Sequence, residues 1–374
     1  MRLGRRPLLQ GAAASLLWAA CSNSSQTASV EVPATFEGYQ GLADLPWFEM
    51  RDGRLVAVNP DWPPAIDFHE HLGFGVGPES IDYQRLTQRV EYLIDCDDPN
   101  EACVLNLDVY INRIANHNML DQMTNELVTG VSTAMGSVQT HTVPNLLREM
   151  DDMGFSHSVI LPIALGLIEP DDMTERFRRA IDESSAPERF IPFCSVYPPA
   201  EDAIGKLQRF KQEGFVGLKF HPTQQRIAPD EDLSMSLFEE CDRLGMCVFF
   251  HAGRAGIEPE STQPFAQMAR YIAPIKTFPE LPFVLGHSGA RDFDEAFTIA
   301  KQYDNVWLGT HGQGRPHLRR IIDEFDTQRV VFGSDWPFYP LAATLVKVLD
   351  VTQGSRVVRD RILCHNARQL LKMV

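Results

Sequence analysis

Short apolar runs rich in β-branched and aromatic residues recur along the chain from residue 65 onward. They are Ala65–His71, His157–Pro162, Phe190–Tyr197, Phe215–His221, Met246–His251, Phe283–His287, Val306–Thr310 and Val330–Ser334. Amphipathic stretches lie between them, among them Asn145–Met153, Ala200–Glu213, Leu233–Leu244 and Asp292–Gln302. Runs with no polar face, separated by helical patterns, predict a parallel sheet buried on both sides. Eight such units predict an α/β fold, a (β/α)8 TIM barrel, whose active site is built at the carboxyl ends of the strands.

One connection breaks the rhythm. Residues 72–140 separate the first strand from the helix leading into the second, far more than an ordinary βα loop. Helical patterns around Tyr83–Ile94 and Val109–Glu126 predict a helical insertion after strand one. It leaves the barrel on the catalytic side and reads as a cap over the pocket. The barrel with its cap spans residues 61–374, and residues 21–60 read as a tether and lead-in.

The first residues form a separate unit. Arg2, Arg5 and Arg6 precede an acid-free apolar run from Gly11 to Ala20. A basic segment followed by a short apolar one is the pattern of an export signal, here residues 1–20. The run is too short to span a bilayer. Arg5-Arg6-Pro7-Leu8-Leu9 resembles a twin-arginine signal, and Ala19-Ala20-Cys21 resembles a lipobox, from which Trp18 departs. The expectation is an exported protein of the periplasm or cell envelope, touching the membrane only through a lipid on Cys21.

Composition adds exclusions. The chain has 374 residues, 44% of them apolar and 22% charged, with a net charge of −16. That balance argues against a nucleic-acid partner, which would call for a basic face. It says little about the substrate, because most of it is solvated surface. The expected partner is a small molecule, with the protein a monomer or dimer. Six cysteines follow Cys21. Cys96 and Cys103 flank a turn-rich segment and can pair, while Cys194, Cys241, Cys247 and Cys364 sit in apolar patterns and read as small buried hydrophobes.

The chemistry sits at strand ends. Of the 11 histidines, His69, His71, His221, His251, His287 and His311 fall at the carboxyl ends of predicted strands. The other five, His117, His141, His157, His317 and His365, fall elsewhere and read as structural or superficial. Alternation along a strand puts Ala65, Asp67, His69 and His71 on one face and Ile66, Phe68 and Glu70 on the other. Both imidazoles then point into the barrel and reach one ion, and Glu70 points away. Gly333 and Asp335 share a face by the same rule. Candidate ligands at several converging strand ends predict a metal site.

These segments also carry a family resemblance. Asp67-Phe68-His69-Glu70-His71, His251-Ala252-Gly253, His287-Ser288-Gly289, Gly333-Ser334-Asp335-Trp336-Pro337 and Asn366-Ala367-Arg368-Gln369-Leu370-Leu371 resemble the amidohydrolase superfamily over roughly residues 62–374. The branch is the one that also contains aminocarboxymuconate semialdehyde decarboxylase and the resorcylate decarboxylases. The resemblance implies that His69, His71, His251 and Asp335 hold a divalent ion, Zn first and Mn second, and that His287 faces the substrate. It implies one ion rather than two. On strand four, Lys219 would be a carboxylated bridge between two ions, or a lysine that pairs with an acid or binds a substrate carboxylate. His221 and Arg254 are weaker candidates for substrate contacts, and Trp336 and Phe338 read as core packing or an apolar wall.

The function expected from this constellation is a metal-dependent hydrolase. A divalent cation lowers the pKa of bound water to near 7. Asp335 would take the proton from the attacking water, and His287 would stabilise the developing oxyanion. The substrate would be an ester, lactone or amide. The alternative is a non-oxidative decarboxylase or hydratase on the same site. A non-catalytic binding lipoprotein would be expected to have lost ligands, yet His69, His71, His251 and Asp335 are all present.

Overall fold

The computed structural model describes residues 29–58, 60–75, 81–97, 103–110, 123–130, 135–165 and 172–373. The export signal and Cys21 lie outside the described residues.

All eight predicted strands form. They are β1 (Ala65–Glu70), β2 (Phe155–Ile160), β3 (Phe190–Cys194), β4 (Gly217–Phe220), β5 (Cys247–His251), β6 (Phe283–Gly286), β7 (Val306–Gly309) and β8 (Val330–Val331). They pair in chain order within one parallel sheet. The circle closes just past β8, where Phe68 N donates to Phe332 O (2.9 Å), Asp335 N to His69 O (2.9 Å) and His71 N to Trp336 O (2.8 Å). Those bonds thread the His69–His71 segment and the Asp335 segment against each other. The fold is thus the predicted (β/α)8 barrel.

Two apolar layers hold it. Ile66, Phe68, Phe193, Phe249, Val284 and Trp307 fill the interior, plugged at the amino-terminal end by Ala367 and Leu370. The outer strand faces, including Leu218, Phe220, Val248 and Phe250, pack under helices such as Val143–Met153, Ala203–Gln212, Asp232–Leu244 and Phe293–Gln302. Burying both strand faces removes a large apolar area from water, the main favourable term in folding. The helix before β5 stops at Gly245, whose φ of +62° suits a residue without a Cβ.

Simple alternation fails in β1. Ile66 and Phe68 face inward, Phe68 meeting Phe193 and Phe249, while Ala65 belongs to the outer layer. The register with β2 slips between Asp67 and Glu70. A bulge of this kind re-aims the residues after it, so His69 turns inward directly after Phe68 and His71 follows. The inward direction of both histidines therefore holds, but the bulge sets it.

The segment after β1 also differs from expectation. The stretch around Tyr83–Ile94 is irregular, not helical. Its backbone donors find partners elsewhere: Leu93 N and Ile94 N donate to Pro337 O and Phe338 O. Thr87 N and Glu91 N bond to the side chains of Asn145 and Thr140. Bonds to neighbouring elements replace the i to i−4 bonds of a helix, the usual way tertiary context overrides local propensity. Much of the second pattern, Val109–Glu126, lies outside the described residues; residues 123–130 are helical. Cys96 and Cys103 form a disulfide, and the other four cysteines beyond Cys21 are free and buried.

The lead-in is folded rather than tether-like from residue 35. Thr35–Glu37 pairs antiparallel with Val104–Asn106, and Phe48–Arg51 forms a hairpin with Arg54–Ala57. Tyr39 and Leu42, between these strands in sequence, are buried.

Candidate active site

Three side chains converge where β1 meets the segment after β8. His69 Nε2 lies 2.9 Å from His71 Nε2. Asp335 Oδ1 lies 3.3 Å from His69 Nε2 and 3.7 Å from His71 Nε2. All three are buried.

Their hydrogen-bond partners decide which ring nitrogens carry protons. His71 Nδ1 sits 2.6 Å from Leu161 O, and a carbonyl can only accept, so Nδ1 holds the proton and Nε2 the lone pair. His311 Nε2 accepts from the backbone N–H of His287 at 2.6 Å, so it carries no proton. His69 Nδ1, 2.5 Å from that same nitrogen, must be the donor, which leaves a lone pair on His69 Nε2. Burial, reinforced by neighbouring imidazoles and Lys219, pushes both histidines well below the ordinary range and keeps them neutral. Two imidazole lone pairs and a carboxyl oxygen therefore face one another. That donor set fits a divalent cation, since neutral imidazole and carboxylate are its ligand forms. Held second nitrogens of this kind orient metal-binding histidines.

A second buried trio, His69, His287 and His311, also lies within ligating distance. There His311 Nε2 and His69 Nδ1 are already engaged with each other and with the His287 amide. This trio acts as scaffolding for the first.

Asp67 straps the two ligand segments together, its Oδ1 accepting from His69 N and from Ser334 N at 3.0 Å each. Burial raises its carboxyl to about 7, against the pull of those bonds. Burial likewise raises Asp335, with Lys219 opposing. A cation among these groups would reverse that direction for Asp335. Lys219 is buried, with Nζ 3.4 Å from His69 Nε2 and 4.8 Å from the centre of the Phe249 ring. Burial lowers it to about 7, with Asp335 holding it up.

His287 stands on the other side of Asp335, its Nδ1 3.9 Å from Oδ2. It begins a turn in which φ is positive at four successive residues: His287 +56°, Ser288 +46°, Gly289 +87° and Ala290 +51°. Non-glycine residues held in such sparsely populated regions cost about 1–3 kcal/mol each, so the turn needs outside support. Ser288 Oγ gives some by donating to Gly309 O at 2.7 Å. Gly253 approaches the turn so closely that a Cβ there would lie 2.1 Å from Gly289 O. Glycine at 253 thus lets the β5 and β6 loops touch.

The remaining sequence candidates spread around this centre. His251, at the end of β5, is outside the converging trio; its ring stacks on His221 at 4.0 Å and lies 4.6 Å from the His287 ring. Burial lowers His251 to about 3, so it too is neutral. Arg254 is held by Asp292, whose carboxylate also accepts its backbone N–H. Trp336 is buried, and its indole donates to Glu149 at 2.8 Å. Glu70 is buried and takes no part in the trio.

Two residues hold a larger place than the sequence assigned them: His311, only one of the six strand-end histidines there, and Tyr110, not singled out at all. His311, out of step with Thr310 by alternation, is central because the chain has already left β7 at Gly309 and turns freely through Gly312 (φ +78°). Tyr110, from the insertion, packs edge-on to His287 at 6.4 Å and lies over Gly312, where a Cβ would come within 2.7 Å. Its place at a strand end was the signal for His311; nothing in the sequence marks Tyr110.

Comparison with known proteins supplies context. Residues 149–373 match the family model described as Amidohydrolase. No curated protein sequence matches the chain. Among solved structures, an uncharacterized TIM-barrel protein from Bordetella bronchiseptica superposes with a TM-score of 0.56 at 17% identity, covering 82% of this chain and 98% of that one. A 5-carboxyvanillate decarboxylase from Novosphingobium aromaticivorans, complexed with manganese and 4-hydroxy-3-methoxy-5-nitrobenzoic acid, gives 0.57 at 15% identity, covering 83% and 96%. A probable 2-pyrone-4,6-dicarboxylic acid hydrolase from Acinetobacter baumannii, with citric acid bound, gives 0.53 at 13% identity, covering 83% and 100%. At these identities the likeness shows the fold alone.

Proposed function

Because the chain belongs to the amidohydrolase family, we propose that it is a metal-dependent hydrolase cleaving a C–O or C–N bond of a small ester, lactone or amide. The observation that carries this reading is the convergence of the His69 and His71 lone pairs on Asp335 Oδ1, with His287 beside the other carboxylate oxygen. His69, His71 and Asp335 would hold one divalent ion, Zn or Mn, with His251 the expected further ligand. The ion supplies acidification of water and polarisation of the substrate oxygen. Asp335 takes the proton of the attacking water and delivers it to the leaving group. His287, neutral and buried, donates to the oxygen on which charge develops. Lys219 adds a fixed positive group next to His69 when protonated, and Tyr110 closes the pocket from the cap.

That same lysine favours a second reading. A buried ammonium beside the trio suits a substrate carboxylate, and the 5-carboxyvanillate decarboxylase has this fold with manganese bound. Decarboxylation would then replace hydrolysis on the same residues. A panel of esters, lactones, amides and aromatic carboxylates separates the two. Purified metal-loaded protein is expected to release acid from the first three groups. Release of CO2 from the carboxylates, with no hydrolysis, would favour the second reading.

We also propose export to the cell envelope. The basic and apolar N-terminus supports it, as does the Cys96–Cys103 disulfide, a bond favoured in oxidising compartments.

A further inference from the structure

We propose that Gln313 is a positioning residue for His287, aiming its imidazole at the Asp335 carboxylate by clamping the turn that carries it. The inference rests on the catalytic reading of His287 given above. Gln313 is fully buried in the loop after β7. Its side-chain Nε2 donates to His287 O at 2.5 Å and to Ala290 O at 3.0 Å, the first and last residues of the left-handed turn. Both acceptors are carbonyls, so the amide can face only one way. Its Oε1 then accepts from His317 Nδ1 at 2.7 Å. Its own backbone carbonyl accepts from Lys347 Nζ at 3.0 Å. Gln313 is thus pinned from two helices, Arg315–Glu324 and Leu341–Val351.

The same loop holds the other side of His287, where His311 Nε2 accepts the backbone N–H. Both backbone groups of His287 are therefore fixed by the β7 loop. On the ring, Nδ1 is buried and has no hydrogen-bond partner among the described residues. Backbone clamping, not a bond at Nδ1, accounts for its aim at Asp335. Removing the Gln313 donors frees the turn to relax toward ordinary φ values and swings the imidazole. Misplacement of about 1 Å in such a group can cost about 100-fold in rate.

Two variants of the full chain, loaded with diamagnetic Zn, test this. Gln313→Glu keeps the side-chain length and the acceptor for His317 but removes both N–H donors. His317→Phe keeps the stack on Phe293 (ring centres 3.9 Å apart) and removes the proton donor to Gln313. The readouts are the imidazole resonances of 15N-histidine-labelled protein, and kcat and KM on whichever substrate the panel identifies. For Gln313→Glu the His287 resonances should shift while those of His71 stay in place. The kcat should fall about 10- to 100-fold with KM changed less than about threefold. His317→Phe should give the same pattern with smaller size, and it carries the test if Gln313→Glu does not fold. If no substrate is hydrolysed, a His287 shift still supports the clamp, and only the hydrolase reading fails. Unmoved His287 resonances in a folded variant would overturn the clamp, as would a lowered melting temperature with kcat unchanged.

Discussion

Asp335→Asn is expected to lower turnover by about 100- to 10,000-fold, the range for loss of a general base, while leaving the fold intact. The backbone at 335 has φ +69°, a region that Asn tolerates better than most residues. The amide has nearly the volume of the carboxylate, so the packing against His69 and His71 survives. What disappears is the ability to take a proton and the negative charge facing the two lone pairs. The check is kcat on the best panel substrate, alongside circular dichroism and thermal melting of both proteins. Wild-type kcat in a folded Asp335→Asn protein would rule out Asp335 as the base.

His69→Ala should be the more damaging change, because one ring serves several contacts. Its Nε2 faces His71 and Asp335, its Nδ1 donates to His311, and its ring centre lies 4.9 Å from that of Phe249 in an edge-to-face contact. Alanine removes a ligand and leaves a cavity in the barrel interior, costing on the order of 2–3 kcal/mol. The variant should melt lower than wild type, purify with substoichiometric metal and show no turnover. Asp335→Asn keeps both imidazoles and should retain metal more tightly than His69→Ala. Reversal of that order, with His69→Ala the better metal binder, would remove His69 from the ligand set.

The sequence made the barrel legible because its strands are buried on both faces and their apolar runs stand out against the amphipathic helices. The candidate trio was legible for a related reason: His69, His71 and Asp335 lie at the joint between the first strand and the last, where the barrel must close. The bulge in β1 was not legible, since alternation assumes an unbroken register and the slip depends on pairing with β2. Gln313, and the central part taken by His311, escaped for another reason. Both sit in a loop after β7, where no periodicity applies and direction is set by contacts made only after folding. The irregular course of residues 81–97 follows the same logic, because bonds to Pro337 and Phe338 lie far away in sequence. Strand-borne chemistry can be read from spacing; loop-borne support for that chemistry cannot.

The claim on which all of this depends is that His69, His71 and Asp335 hold a divalent ion. Elemental analysis of gently purified protein, and of a His69→Ala/His71→Ala double variant, tests it most directly. Wild-type protein should carry about one equivalent of Zn or Mn, as expected for one ligand set with a position left open for water, and the double variant should carry almost none. A wild-type protein that stays metal-free after incubation with either ion, or a double variant that keeps the full equivalent, would contradict the account.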